Sequence, residues 1–312
     1  MNATIKLYDV KTMTHAEWKK SRNSGLGGSD VAAICGLNPW RSPLSVYLEK
    51  TGQIDGAEEN EAMEWGTALE PIIAKKFEER TELKVRTNNY ILQHPQYPFM
   101  LANLDREIVG KKEGLEIKTT SAWNGGKMHK EIPDYYYLQC LHYMAVTGYI
   151  GWYLAILVGG NQMHIHYIPR DEEDIQNLIK IESDFWNNHV LAKVMPEANH
   201  QDSDVIRALV GDVKADKEIY LSGENVSDYI QQFKIAKQTI KDAEKLKNNA
   251  ANNIKLLMGD ASIGLIDNYI VMNKPIVSNK FNTKGFIEDH KDLADQYKIE
   301  SVSTRFEIKE EK

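Results

Sequence analysis

Two stretches rich in strand-forming residues, Phe99–Val109 and Gly114–Thr120, stand one short turn apart and carry charge at set places in an apolar pattern. The first contains Asp105, and eleven residues later the second presents Glu116-Ile117-Lys118. Side chains two apart in a strand share a face, so Glu116 and Lys118 point one way and Ile117 points into the core. Two carboxylates so placed can hold a divalent cation. The Lys118 ammonium can then orient an attacking water or balance charge as a phosphodiester is cleaved. Metal-dependent nucleases use this arrangement. Alternating charge on a solvated strand face produces the same string, so the rest of the chain has to decide.

A short helix is expected at Thr14–Ser21, followed by the turn Gly25-Leu26-Gly27-Gly28-Ser29-Asp30, which opens a helix through Cys35. Pro43–Thr51 reads as a further helix and Asn60–Arg80 as a long amphipathic one, ahead of the strands Lys84–Gln93, Phe99–Val109 and Gly114–Thr120. Pro133–Thr147 is expected to be helical, since a helix start tolerates the missing proline N–H. Gly151–Val158 and Gln162–Ile168 read as strands joined by Gly159-Gly160-Asn161, a hairpin signal, and Asp171–Val194 closes the unit as a helix. The result is an α/β core over residues 1–198.

Composition turns polar around Pro196–Asp204, so 199–312 is expected to be a separate extension. There Val226–Met258 reads as one long helix with Phe233, Ala236, Ile240, Ala243 and Ala250 at 3-4 spacing. Such a seam suits helix pairing, although Lys247 interrupts it. Ser262–Ile266, Tyr269–Asn273 and Thr304–Lys309 read as short strands around a helix at Lys284–Gln296.

Composition excludes several classes. No apolar run approaches the roughly 20 residues needed to span a bilayer, and Met1–Asp9 lacks the layout of a signal peptide. Cys35 and Cys140 are the two cysteines, too few for a disulfide framework or a four-cysteine iron–sulfur cluster, and a reducing cytoplasm is the expected setting. A net charge of −7 argues against coating DNA with a broad basic face. It leaves room for an enzyme that grips nucleic acid in a locally basic channel.

Other residues converge on the strand pair. Glu70 has Gly66, Ile73, Ala74 and Phe77 as its helix neighbours, an apolar setting in which a carboxylate needs a cation, a partner or an edge open to water. Gln139 and Tyr143 share a helix face; the Gln139 amide can serve a catalytic water, a metal-bound carboxylate or a phosphate, or make an ordinary helix–sheet contact. Ser29 reads as a helix N-cap at an anion-favouring N-terminus, with Arg22 placed to fold over the same spot; a purely structural cap is the alternative. Trp40-Arg41 can stack on a frayed base or pack on the core. The nine His residues show no His-x-x-His or Cys/His cluster, which argues against zinc.

Arg22…Gly27-Gly28-Ser29-Asp30, Gly66-Thr67-Ala68-Leu69-Glu70-Pro71, Asp105, Glu116-Ile117-Lys118 and Gln139-x-x-x-Tyr143 form, in order and spacing, a specific set. By these, residues 20–195 resemble the YqaJ-type viral recombinases, the phage alkaline-exonuclease family that includes lambda exonuclease. The resemblance implies a restriction-endonuclease-like α/β (α+β) core, a mixed central sheet flanked by helices, with the helical and β extension beyond it. It implies a Mg²⁺-dependent (or Mn²⁺-dependent) exonuclease that degrades the 5′-ended strand of linear duplex DNA, leaving 3′ single strands for a phage-type annealing recombinase or single-strand-binding protein. Asp105, Glu116, the Ile117 carbonyl and Glu70 would hold two ions, Lys118 and Gln139 would position the water, and Arg22 and Ser29 would bind the terminal 5′-phosphate. A homotrimer in a bacterial host cytoplasm, phage or prophage encoded, is also implied. A related endonuclease or repair nuclease and a non-catalytic DNA-end-binding scaffold are the alternatives.

Overall fold

The computed structural model describes residues 4–56, 60–126, 128–214, 217–223, 225–300 and 303–310; residues 1–3 of the N-terminal stretch read above lie outside it. The chain divides into two compact units, Met1–Asp212 and Val213–Lys312.

The first unit opens with β1 (Ile5–Asp9) and α1 (His15–Asn23), whose start is closed by a reciprocal cap between Thr14 and Glu17. Helices α2 (Gly28–Ile34), α3 (Pro43–Lys50) and α4 (Glu61–Thr81) follow. The N-cap of α2 is Gly27, not Ser29: the Asp30 carboxylate reaches back to accept the Gly27 N–H at 2.9 Å, and Ser29 lies inside the first turn. The glycine is needed at the next position for a different reason. A Cβ on Gly28 would stand 2.7 Å from the Tyr143 ring and 2.9 Å from Gln139 Cγ, so glycine lets α2 close on the helix that carries both.

Each of the first two long strands expected from sequence is broken in two. Lys84–Gln93 becomes β2 (Val85–Arg86) and β3 (Tyr90–Gln93), and Phe99–Val109 becomes β4 (Leu101–Ala102) and β5 (Arg106–Ile108). The halves serve different sheets, β1-β3-β4 on one side and β2-β5 in the main sheet, so the chain crosses between sheets around Asn103–Asp105. Asp105 therefore sits at a break, where its side chain is not committed to a pleat.

Next come β6 (Glu113–Thr120), α5 (Asp134–Thr147), β7 (Gly151–Val158), β8 (Gln162–Pro169) and α6 (Glu172–Phe185). The main sheet has the order β2-β5-β6-β7-β8; β6 and β7 run parallel and the other pairs antiparallel. The parallel pair is made possible by α5, which supplies the crossover. On one face Trp152, Leu154 and Ile156 pack with Leu141 and Met144 of α5, and on the other Leu115, Ile117 and Ala155 pack with Ile73, Ala74 and Phe77 of α4. The sheet is thus mixed and flanked by helices.

The helix expected to run through Val194 ends its α-helical geometry at Phe185 and widens into a π turn over Trp186–Leu191. A further helix, α7 (Ser203–Val210), still belongs to the first unit. The polar stretch before it is anchored, because buried Asp202 accepts hydrogen bonds from the Ser42 hydroxyl and, at 2.7 Å, from the Asn199 N–H.

In the second unit α8 (Val226–Met258) runs over the residues expected, followed by the hairpin β9 (Ile263–Ile266) and β10 (Tyr269–Met272). The helix expected at Lys284–Gln296 is two, α9 (Thr283–Asp289) and α10 (Lys291–Gln296), broken at His290. Among the described residues 303–310 there is no strand, so the strand expected at Thr304–Lys309 does not form a sheet.

Candidate active site

A cleft of about 240 Å³ in the first unit is lined by residues from α1, α2, β6 and α5 and from the break at 103–105; Arg22, Ser29, Asp105, Glu116, Lys118 and Gln139 all reach it. Sheet parity explains the grouping. Leu115 and Ile117 fill the α4 face, so Glu116 and Lys118 are turned to the α5 face, and Gln139 descends on them from α5.

Glu116 is the hub. Its Oε1 accepts from Lys118 Nζ at 2.6 Å and from Gln139 Nε2 at 2.7 Å, and Gln139 also donates to the Tyr143 hydroxyl at 2.8 Å. Its Oε2 is buried with no hydrogen-bond partner. A carboxylate oxygen left unpaired in the interior costs of the order of 1–3 kcal/mol, which a ligand reaching it would offset. Asp105 accepts the Ile117 N–H at 2.8 Å. An extended residue sends its N–H and C=O to the same strand edge, so the Ile117 carbonyl faces the Asp105 side.

Burial first, and the Glu116 carboxylate next, push Asp105 up to about 7. That cost of charging Asp105 is one a bound cation would offset. Burial works against the Lys118 ammonium, but Glu116 and Asp105 outweigh it and hold its pKa above the ordinary lysine value. Lys118 therefore stays charged, 5.5 Å over the Tyr136 ring.

Glu70 does not line the cleft, although Asp105 and Lys118 both act on its charge. It projects from α4, on the opposite face of the sheet, where Arg106 of β5 engages its carboxylate. Burial and then Asp105 raise its pKa, with Arg106 acting against them. Among the described residues no three His, Cys, Asp or Glu side chains stand together as a ready metal cluster. Asp105, Glu116 with its unpaired oxygen and the Ile117 carbonyl are hard oxygen donors, and they fit one divalent cation of the Mg²⁺ kind completed by water.

At the far end of the cleft Arg22 Nη2 donates to Ser29 Oγ at 3.2 Å and its guanidinium lies 5.0 Å over the Trp18 ring. Two further residues contribute to the cleft, one read from sequence only as part of a motif string and one not singled out there. Asp30, buried under α2, pairs with Lys50 Nζ at 2.7 Å and Arg41 Nη1 at 3.0 Å. Burial opposes its charge, but Lys50, Arg41 and Arg22 hold its carboxyl far below the usual range. Asn103 is the other: it lines the cleft with a buried Oδ1 that lacks a partner. Its spacing two before Asp105 was the available signal. Arg41 is drawn inward to Asp30 and Glu49, while Trp40 stays 67% exposed, edge-on to Tyr135, so it packs on no core.

The YqaJ-like viral recombinase domain matches residues 17–150, a span that holds every site residue named above. Over nearly its whole length the chain is similar to the uncharacterized protein YqaJ of Bacillus subtilis (strain 168), 40% identical over 304 residues, 96% of this chain and 95% of that one. The chain belongs to the YqaJ-like viral recombinase family. Among solved structures it is similar to the alkaline exonuclease LHK-Exo of Laribacter hongkongensis (23% identity, TM-score 0.48, 57% of this chain and 93% of that one). It is also similar to a phage-related exonuclease of Haemophilus somnus 129PT (14% identity, TM-score 0.40, 55% and 96%).

Proposed function

We propose that this chain is a divalent-metal-dependent deoxyribonuclease, an exonuclease that degrades the 5′-ended strand of linear duplex DNA and leaves 3′ single strands for recombination by annealing. The observation that carries this reading is Glu116, which binds Lys118 and Gln139 through one oxygen and keeps the other buried and unpaired. Family membership agrees with it.

Asp105, Glu116 and the Ile117 carbonyl would hold a Mg²⁺ or Mn²⁺ ion. When bound, such an ion supplies Lewis acidity at a phosphoryl oxygen and lowers the pKa of water. Lys118, kept protonated by its two carboxylate neighbours, stabilises the charge that builds on the phosphorus oxygens and orients the water. Gln139 fixes Glu116 through its second bond to Tyr143. A second ion would need Glu70 released from Arg106. Arg22, Ser29 and the first turn of α2 form the seat for the terminal 5′-phosphate, with Lys50 and Arg41 neutralising Asp30 beneath it. Work at DNA ends, a homotrimeric ring, an annealing partner and a host cytoplasm complete the proposal.

The test uses linear duplex in Mg²⁺, labelled at either end of one strand, with 5′-phosphate or 5′-hydroxyl termini. The 5′-label is released first, and phosphorylated ends are degraded faster. Arg22→Ala slows the phosphorylated substrate by roughly ten- to a hundredfold, the loss of one charge-assisted contact, and leaves the hydroxyl one nearly unchanged. Release of the 3′-label first, or equal rates on both ends in the wild type, contradicts this account.

A further inference from the structure

The long helix of the second unit carries a longer seam than its sequence first suggests. Along α8 the positions Val226, Tyr229, Phe233, Ala236, Ile240, Ala243, Lys247, Ala250, Ile254 and Leu257 alternate three and four apart without a break. That is a heptad repeat over the whole helix, ~50 Å at 1.5 Å per residue. Much of the face is exposed: Ile240 is 62% exposed and Leu257 88%, and no residue of α8 is buried, although Lys234 Nζ stands 2.7 Å from Glu310 of the chain's own 303–310 segment. Nearest to it, Phe306 meets Phe233 edge-on with centroids 5.5 Å apart, and Ile308 borders a groove that Phe233, Lys237, Ile240 and Glu244 also line.

We infer that α8 pairs with the α8 of a second copy of this chain, antiparallel, about a two-fold axis between Lys241 and Asp242. The seam itself selects direction and register. A parallel pair would set Lys247 against Lys247 and stack Ala236, Ala243 and Ala250 on themselves, leaving like charges in contact and gaps between the helices. In the antiparallel register each large residue meets a small one. Phe233 faces Ala250 of the second copy, Ile240 faces Ala243, and Lys247 faces Ala236, where its stem covers the alanine and its ammonium reaches water. Val226 and Leu257, and Tyr229 and Ile254, close the two ends. The flanks agree. Lys237 lies opposite Glu244 of the second copy, twice per pair by symmetry, whereas a parallel pair would place Gln232 opposite Lys237 and Thr239 opposite Glu244. A helix of another protein has no reason to repeat this self-complementary order.

Because Lys237 and Glu244 are exposed on α8, exchanging their charges leaves the helix intact, and the test is the molar mass of the full chain in solution at several concentrations. Lys237→Glu and Glu244→Lys each place two like-charge pairs across the seam and reduce the assembly to half the wild-type mass. The double exchange K237E/E244K restores both pairs and the wild-type mass. With the trimeric ring proposed above, the pairing joins two rings and the single variants leave one. A double exchange that stays at half mass, or single variants that keep the wild-type mass, overturns the pairing. So does a wild-type mass at high concentration equal to that of the single variants, which leaves the face for a different partner.

Discussion

At the scale of single residues, Glu116 and Asp105 determine what the cleft can do, and they do so before any substrate enters. Glu116 keeps its Oε2 buried and unpaired, and the Asp105 carboxyl has its pKa raised to about 7, a local cost that a bound cation would offset. Saturating Mg²⁺ should therefore raise the Tm of the wild type, by linkage of binding to folding. Glu116→Gln and Asp105→Asn should lose that rise while remaining folded, and Lys118→Ala should keep it, which differential scanning fluorimetry can read. A wild-type Tm indifferent to Mg²⁺ would remove the ion from this site. Much of the group was legible in the sequence because strand parity alone sets Glu116 and Lys118 on one face. Glu70 was harder: helix spacing exposed its apolar surroundings but not that it lies across the sheet, where Arg106 claims it. Asp30 was legible only as part of a string, since its partners Lys50 and Arg41 come from residues that no local pattern connects.

At the scale of elements, α5 carries both the site and the core beneath it. One turn from Gln139, His142 is buried with Nδ1 2.9 Å from Glu182 of α6 and Nε2 2.8 Å from the Leu101 carbonyl. Both ring nitrogens face acceptors, so the imidazole is held as a cation tying α5 to α6 and β4. Burial opposes that charge, but Glu182 and the carbonyl outweigh it and raise the pKa above its ordinary 6.5. The folded protein then keeps a proton that the unfolded chain releases. The stabilisation is full below about pH 6.5 and is lost as pH rises through the raised value. His142→Gln should thus cost about 3–5 kcal/mol at pH 6, and less as pH rises, measured by urea unfolding of both proteins in parallel. A gap that widens with pH contradicts the assignment. The strands beside α5 were visible as apolar runs, yet nothing local marks where a run leaves one sheet for another, which is why the break at Asp105 emerged only with the fold. Ser29 was misplaced as a cap for a related reason: the helix begins earlier, at Gly27, whose N–H is taken by the Asp30 carboxylate three residues on, the favoured reach.

At the scale of the whole molecule, two units share one chain, and the boundary lies after α7 rather than in the polar stretch before it. The polar composition there reflects an anchored loop, with Asp202 buried against Ser42. A chain ending at Asp212 should fold and keep activity on short duplexes, while one ending at 198 should unfold several degrees lower, having left the Ser42 hydroxyl without its acceptor. Equal Tm values for the two would return the boundary to the polar stretch. The central claim, that Asp105, Glu116 and Lys118 form a nuclease centre working from DNA ends, is most directly tested by release of acid-soluble nucleotide in Mg²⁺. Wild type and Glu116→Gln are each given linear duplex and the same DNA as a covalently closed circle. The account predicts release from the linear form by the wild type, none from the circle, and a rate at least about a thousandfold lower for Glu116→Gln. Degradation of the circle, or a Glu116→Gln rate within about tenfold of wild type, would contradict it.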